Sequence, residues 1–317
     1  MRRIVSFLPS STEILYEIGA GSQIVGVTHE CNHPIDAKNK TKVVNSSFDT
    51  RTMSSQEIDD KIGELTRTGA DIYVIDDDKL KEAKPDLIIA QGICEVCAPA
   101  TNEMRRTSSI LGYKPDILVL DPHDLDDILI SVMDIAEKVD KVQEGRKLVL
   151  SLRNRIEIIR LKVAQNYSKK GNTKPTVLCL EWIDPFFTAG HWVPQMVDIA
   201  GGVNLLGSRG QPSRRITVRE VLESDPDKIV LMPCGFDISR TLKEVEASNT
   251  RNMLRSLRAF QNDEVYVVDA GAYFSKPGPR AVTGLEILAK ISTPELFTDL
   301  RVPTGSFTRL ITRKNIL

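Results

Sequence analysis

Two patterns recur, in the same order, in the first and second halves of the 317-residue chain. Residues 17–26 (EIGAGSQIVG) align with residues 198–207 (DIAGGVNLLG): an acid, an isoleucine, small residues, an apolar pair and a closing glycine. Each reads as a helix end that turns into a short strand. Residues 80–90 (LKEAKPDLIIA) align in turn with residues 221–231 (VLESDPDKIVL), where a helix stops at a Pro-Asp turn and a buried parallel strand follows. A duplication of this kind favours two similar α/β bodies over the alternative of a single doubly wound domain with a long surface helix.

The apolar runs support that reading. Short strands are predicted at 4–8, 87–90 and 117–120, then at 177–180, 229–231 and 265–268, alternating with helical periodicity. Ser10 and Glu13 are spaced as a capping box, as are Thr217 and Glu220, and Pro279-Arg280 opens the last helix. From Leu125 to about Tyr167 there is no proline, and apolar residues keep helical spacing. That predicts a helix of up to about 28 residues preceded by a shorter one ending near Val139. The expected fold is therefore α/β, with two Rossmann-like lobes, each a parallel sheet, joined by one long rigid helix. The expected boundaries are 1–121 for the first lobe, 122–170 for the linker, 171–297 for the second lobe and 298–317 for a tail.

Bulk properties exclude several functions. Lys plus Arg total 42 against 43 Asp plus Glu, with no long block of one sign, so no nucleic-acid footprint is present. No run reaches the ~20 apolar residues of a membrane span. The basic start Met1-Arg2-Arg3 is followed by an apolar stretch that ends at Pro9, short of the roughly 7–15 residues an export signal uses. A cytoplasmic location is expected on this ground, or an extracytoplasmic one if the chain is a mature or mis-started form. Five cysteines are too few and too scattered for a disulfide framework. There is no Gly-x-Gly-x-x-Gly after the first strand, no phosphate-binding loop and no nucleophile elbow, so an enzyme is not expected.

In open parallel sheets ligands bind beyond the carboxyl ends of the strands. The residues there are Pro9 and Ser10 after the first strand, and His29, Glu30 and His33 after the second. In the second half they are Trp182, Phe187, His191, Trp192 and Arg214, then Tyr273 and Phe274. Aromatic residues make up only 5% of the chain, yet both tryptophans fall in these segments, which favours ligand contact. A second chemistry is also spelled out. Cys31 with Cys94-x-x-Cys97, near His29 and His33, would give a zinc or other thiolate site. The acidic run Asp76-Asp77-Asp78 reads as a solvated helix start.

Taken in order, several motifs resemble the class III substrate-binding proteins of ABC importers for cobalamin and ferric siderophores. They are residues 6–13 (SFLPSSTE), residues 80–90, Phe187-Thr188-Ala189-Gly190, residues 200–204 (AGGVN) and Tyr273-Phe274 with Gly278-Pro279-Arg280. The chain is most similar to the branch called cobalamin-binding, through His29-Glu30-Cys31, residues 94–98 (CEVCA) and residues 190–194 (GHWVP). The resemblance implies a corrinoid or ferric chelate held in a cleft between two lobes, for uptake or intracellular handling. It further implies no required cofactor and, for the family at large, an ABC permease as partner; a monomer without membrane insertion is expected. Such members dock through an acidic residue on each lobe, but Ser275 stands where a cobalamin-binding member has Glu, which counts against an ABC permease as partner and favours intracellular corrinoid handling.

Overall fold

The computed structural model describes residues 1–92, 101–168 and 171–311, and of 101–105 the backbone alone. The chain divides into two compact units: Met1–Pro122 with Asp126–Ser151, and His123–Leu125 with Leu152–Leu317.

In the first unit, β1 (Ile4–Ser6), β2 (Ile24–Thr28), β3 (Lys42–Ser46), β4 (Tyr73–Ile75), β5 (Leu87–Gln91) and β6 (Asp116–Leu120) form one sheet in the order β4-β3-β2-β1-β5-β6. Every neighbouring pair is parallel except β3 with β4. Val5, Phe7, Val43, Val44, Ile88 and Ala90 supply one buried cluster of its core. In the second unit, β7 (Thr176–Ile183), β8 (Phe186–Thr188), β10 (Lys228–Leu231), β11 (Val265–Val268) and β12 (Phe307–Arg309) run in the order β12-β11-β10-β7-β8, and β9 (Val203–Asn204) pairs with β7. Here β7, β9, β10 and β11 pair in parallel, whereas β8 and β12 are antiparallel edges.

The duplication is thus present in the topology. Strand order β2-β1-β5-β6 in one unit matches β9-β7-β10-β11 in the other. The aligned turns match too: the helix Asp77–Ala83 ends at Lys84 with φ 41°, and Val218–Ser224 ends at Asp225 with φ 31°. A left-handed residue ends each helix, and the following proline prevents its continuation. The sheets are mixed rather than purely parallel. The antiparallel strands lie at edges, where a short hairpin or returning segment can add without a crossover helix.

The helices Leu125–Lys138 and Val142–Tyr167 follow the sequence reading closely. The break falls at Asp140, with φ 58°. Gly145 does not break the second helix, because it lets that helix approach Ala136, whose Cβ would lie 2.5 Å from an added Cβ. The longer helix belongs to the first unit as far as Ser151 and to the second from Leu152. Among the described residues, no helix is long and apolar enough to cross a membrane.

One helix start differs from expectation. Pro9, not Ser10, begins the first helix (Pro9–Glu17), its N-cap is the extended Leu8, and no side chain caps it. Proline has φ already set for a first helical position and needs no donor there, so the start shifts and Ser10 lies inside the helix. Thr217 with Glu220 forms both bonds of a capping box. The acidic run opens a helix as read, with Asp76 accepting from the Lys79 N–H at 3.1 Å.

Candidate binding site

Each sheet changes direction of winding at its first strand: β1 lies between β2 and β5, and β7 between β9 and β10. Beyond such a strand's carboxyl end the neighbouring connections diverge and leave a crevice, the usual ligand position in this architecture.

At the first unit's edge the hydroxyls turn inward. Ser6 and Ser11 Oγ atoms are 2.5 Å apart, Thr12 donates to Ser6 at 2.8 Å, and Ser10 is buried. Ser6, Ser11 and Thr12 satisfy one another and the Leu8 carbonyl, and Ser10, a candidate from the sequence, is enclosed beside them within the helix. Cys31 is enclosed as well, its Sγ 3.2 Å from Thr12 Oγ1 and 3.4 Å from Thr28 Oγ1. Pro9 is half-buried, while His29, Glu30 and His33 are exposed. The His29 ring lies 6.1 Å from that of Tyr73. Cys94 and Cys97 fall outside the described residues, and among those described no group of three or more His, Cys, Asp or Glu side chains is gathered to hold a metal.

The second unit carries the richer edge. β7 does not stop where the sequence reading ended it but continues to Ile183 and returns through β8, so Trp182 and Phe187 are strand residues paired across a hairpin. Trp182 is half-buried, its ring edge-on to Phe236 at 5.2 Å between centroids. The guanidinium of Arg240 covers Phe236 at 4.0 Å, Arg215 covers Phe187 at 5.5 Å and Arg280 covers Tyr273 at 5.8 Å. Cations over ring faces are favourable and leave these rings amphipathic. Ser275 accepts the Gly235 N–H at 2.9 Å, tying the connection after β10 to that after β11.

Of the other candidates, Trp192 and Phe274 are buried, His191 is half-buried and Arg214 is exposed. Trp192 is 6% and Phe274 3% exposed, and Trp192 Nε1–H donates to the Phe274 carbonyl at 3.0 Å. His191, at φ 51°, stacks on Trp192 at 5.7 Å and lies 6.1 Å from the ring of His123. Arg214 is ion-paired with Glu220 at 2.9 Å, the same carboxylate that completes the Thr217 capping box.

Sequence reading missed Glu181. It interrupts an apolar strand, and its Oε2 accepts the Gly190 N–H at 3.1 Å. Burial pushes its carboxyl above the usual carboxylate range, against the Gly190 N–H and Ser213 hydroxyl, which favour ionisation. Burial likewise raises the neighbouring Cys179 thiol and the Asp269 carboxyl. A charge directly after the apolar run 177–180 was the available signal, since such strands otherwise read as continuously apolar.

Comparison with known proteins accords with this architecture. The vitamin B12-binding protein of Vibrio cholerae is 23% identical over 288 residues, spanning 90% of this chain and 86% of that protein. The ABC transporter substrate-binding lipoprotein YvrC of Bacillus subtilis is 24% identical, spanning 94% and 82%. Among solved structures, a periplasmic heme-binding protein from Pseudomonas aeruginosa superposes with a TM-score of 0.74 at 17% identity, covering 99% of both chains. The periplasmic vitamin B12-binding protein BtuF of Vibrio cholerae gives 0.66 at 22% identity, covering 92% and 96%. These are binding proteins rather than enzymes. Residues 4–272 match the family model described as "Periplasmic binding protein", and the chain belongs to that family.

Proposed function

We propose that this protein binds a corrinoid of the cobalamin type, or a metal chelate of similar flat shape, and presents it to an ABC permease or holds it for intracellular use. The observation that carries the reading is the group of aromatic side chains at the carboxyl ends of β7, β10 and β11. Trp182, Phe187 and Tyr273 are half-buried there, and cations cover Phe187, Phe236 and Tyr273. A macrocycle has a broad apolar face and a polar rim. It suits rings that offer stacking area beside a few hydrogen-bond donors. The relatives named for vitamin B12 span most of the chain and support a corrinoid as the first ligand to test.

The test is a fluorescence titration with cyanocobalamin and, separately, hemin. The chain has two tryptophans, of which Trp182 is half-buried and Trp192 buried. Cyanocobalamin should quench emission saturably, and Trp182→Phe should reduce that quench more than Trp192→Phe does. Saturable quenching by hemin alone would replace the corrinoid with an iron chelate, and no response to either ligand would refute the reading.

A further inference from the structure

Past the end of the second sheet, residues 187–191 and 210–215 zip together as a small irregular ribbon. Thr188 N–H donates to the Arg214 carbonyl at 3.0 Å, and Arg214 N–H returns to Thr188 Oγ1 at 3.2 Å. His191 N–H reaches the Gln211 carbonyl at 2.7 Å, and Gly210 N–H reaches the His191 carbonyl at 3.0 Å. The two segments approach so closely at Gly190 that an added Cβ would lie 2.3 Å from the Ser213 nitrogen. The ribbon carries Phe187, His191 and Arg214.

We propose that Glu181 is the positioning residue for this ribbon, and through it for ligand selection by the second unit. Its carboxyl has two oxygens and contacts both sides: Oε2 accepts the Gly190 N–H at 3.1 Å, and the Ser213 hydroxyl donates to the same group. The residue itself is firmly held. Its carbonyl accepts the Cys234 N–H at 2.9 Å, and Leu180 before it accepts the Met232 N–H at 2.9 Å, so the carboxyl stands on a paired strand. Glu181 lies between buried Leu180 and half-buried Trp182 and is no part of the apolar cluster that holds Leu180 and Ile183, so core packing does not account for it. An enclosed carboxyl with two loop partners does add something: it fixes the separation of two segments that have only irregular pairing of their own. The selection part of this inference rests on the ligand-binding reading above; the positioning part does not.

The test uses the full-length protein and hydrogen exchange resolved by segment. Glu181→Leu should speed exchange in 187–191 and 210–215 by about tenfold, the scale of one lost buried hydrogen bond, while residues 265–268 exchange as in the wild type. Glu181→Gln keeps an acceptor for Gly190 and a group the Ser213 hydroxyl can still pair with, so exchange should return to within about threefold of wild type. Ser213→Ala removes one link without an unpaired carboxyl and should speed exchange in 210–215 alone, which decides the matter if the leucine variant does not fold. Unchanged ribbon exchange in these variants would overturn the proposal. For selection, Glu181→Leu should change the ratio of cyanocobalamin to hemin affinity, with Glu181→Gln restoring it. A constant ratio would confine Glu181 to structure. If the wild type binds neither probe, the ligand reading fails while the exchange result still decides the positioning.

Discussion

Trp182 and Trp192 stand on one continuous segment yet meet different surroundings. Trp182 is half-buried against the edge of Phe236, so its loss should weaken ligand binding by ~1–3 kcal/mol, the scale of a covered aromatic face. Trp192 is buried and bonded to the Phe274 carbonyl. Trp192→Ala should therefore lower stability by ~3–5 kcal/mol in urea denaturation, the range for a large core ring cut to alanine. Equal effects of the two changes on binding would contradict this division. Glu181 predicts a pH dependence with a definite sign. Its folded-state pKa is raised, so the folded chain holds this proton more tightly than the unfolded chain does. The stability this provides is complete below the ordinary carboxylate range, and it is lost as pH rises through the unfolded value and past the raised one. Glutamine does not titrate, so the stability of Glu181→Gln relative to wild type should increase from acid to neutral pH. A pH-independent difference would show that the carboxyl titrates as it does in the unfolded chain.

At the scale of elements, close approach overrides propensity. Gly145→Ala gains about 1 kcal/mol of helix propensity in an exposed helix. Here the new Cβ would meet Ala136 at 2.5 Å, and the helix pair Leu125–Lys138 and Val142–Tyr167 should lose stability instead. Thermal denaturation of Gly145→Ala, with and without Ala136→Gly, checks this: the second change should restore what the first removes. The same scale explains what the sequence made legible. The helix-turn-strand repeats could be read because a Pro-Asp turn ends a helix for a local steric reason, and both copies do so. The capping pattern was ambiguous because identical spacing has two outcomes: Ile216 precedes Thr217, which caps, whereas Pro9 precedes Ser10 and takes the first helical position itself. The edge strands β4, β8 and β12 were not legible, being three residues each and too short to show a period of two. Candidate rings were found by type and position. Which of them are covered depends on partners distant in sequence, such as Phe274 for Trp192.

Over the whole molecule, a repeated four-strand order, a helix shared by two units and membership of the periplasmic binding protein family all describe a chain organised to hold a ligand. Each unit has its own sheet and buried apolar clusters, so unfolding without ligand need not be a single transition. A ligand that binds only the folded chain adds about 2.7 kcal/mol of stability at a hundredfold excess over its Kd. The most direct measurement is therefore thermal denaturation of the full-length protein across a cyanocobalamin series, followed by a probe in each unit. A midpoint that climbs with the logarithm of ligand concentration is the predicted result. A midpoint unmoved up to about 1 mM, a concentration that would reveal even weak binding, would contradict the account.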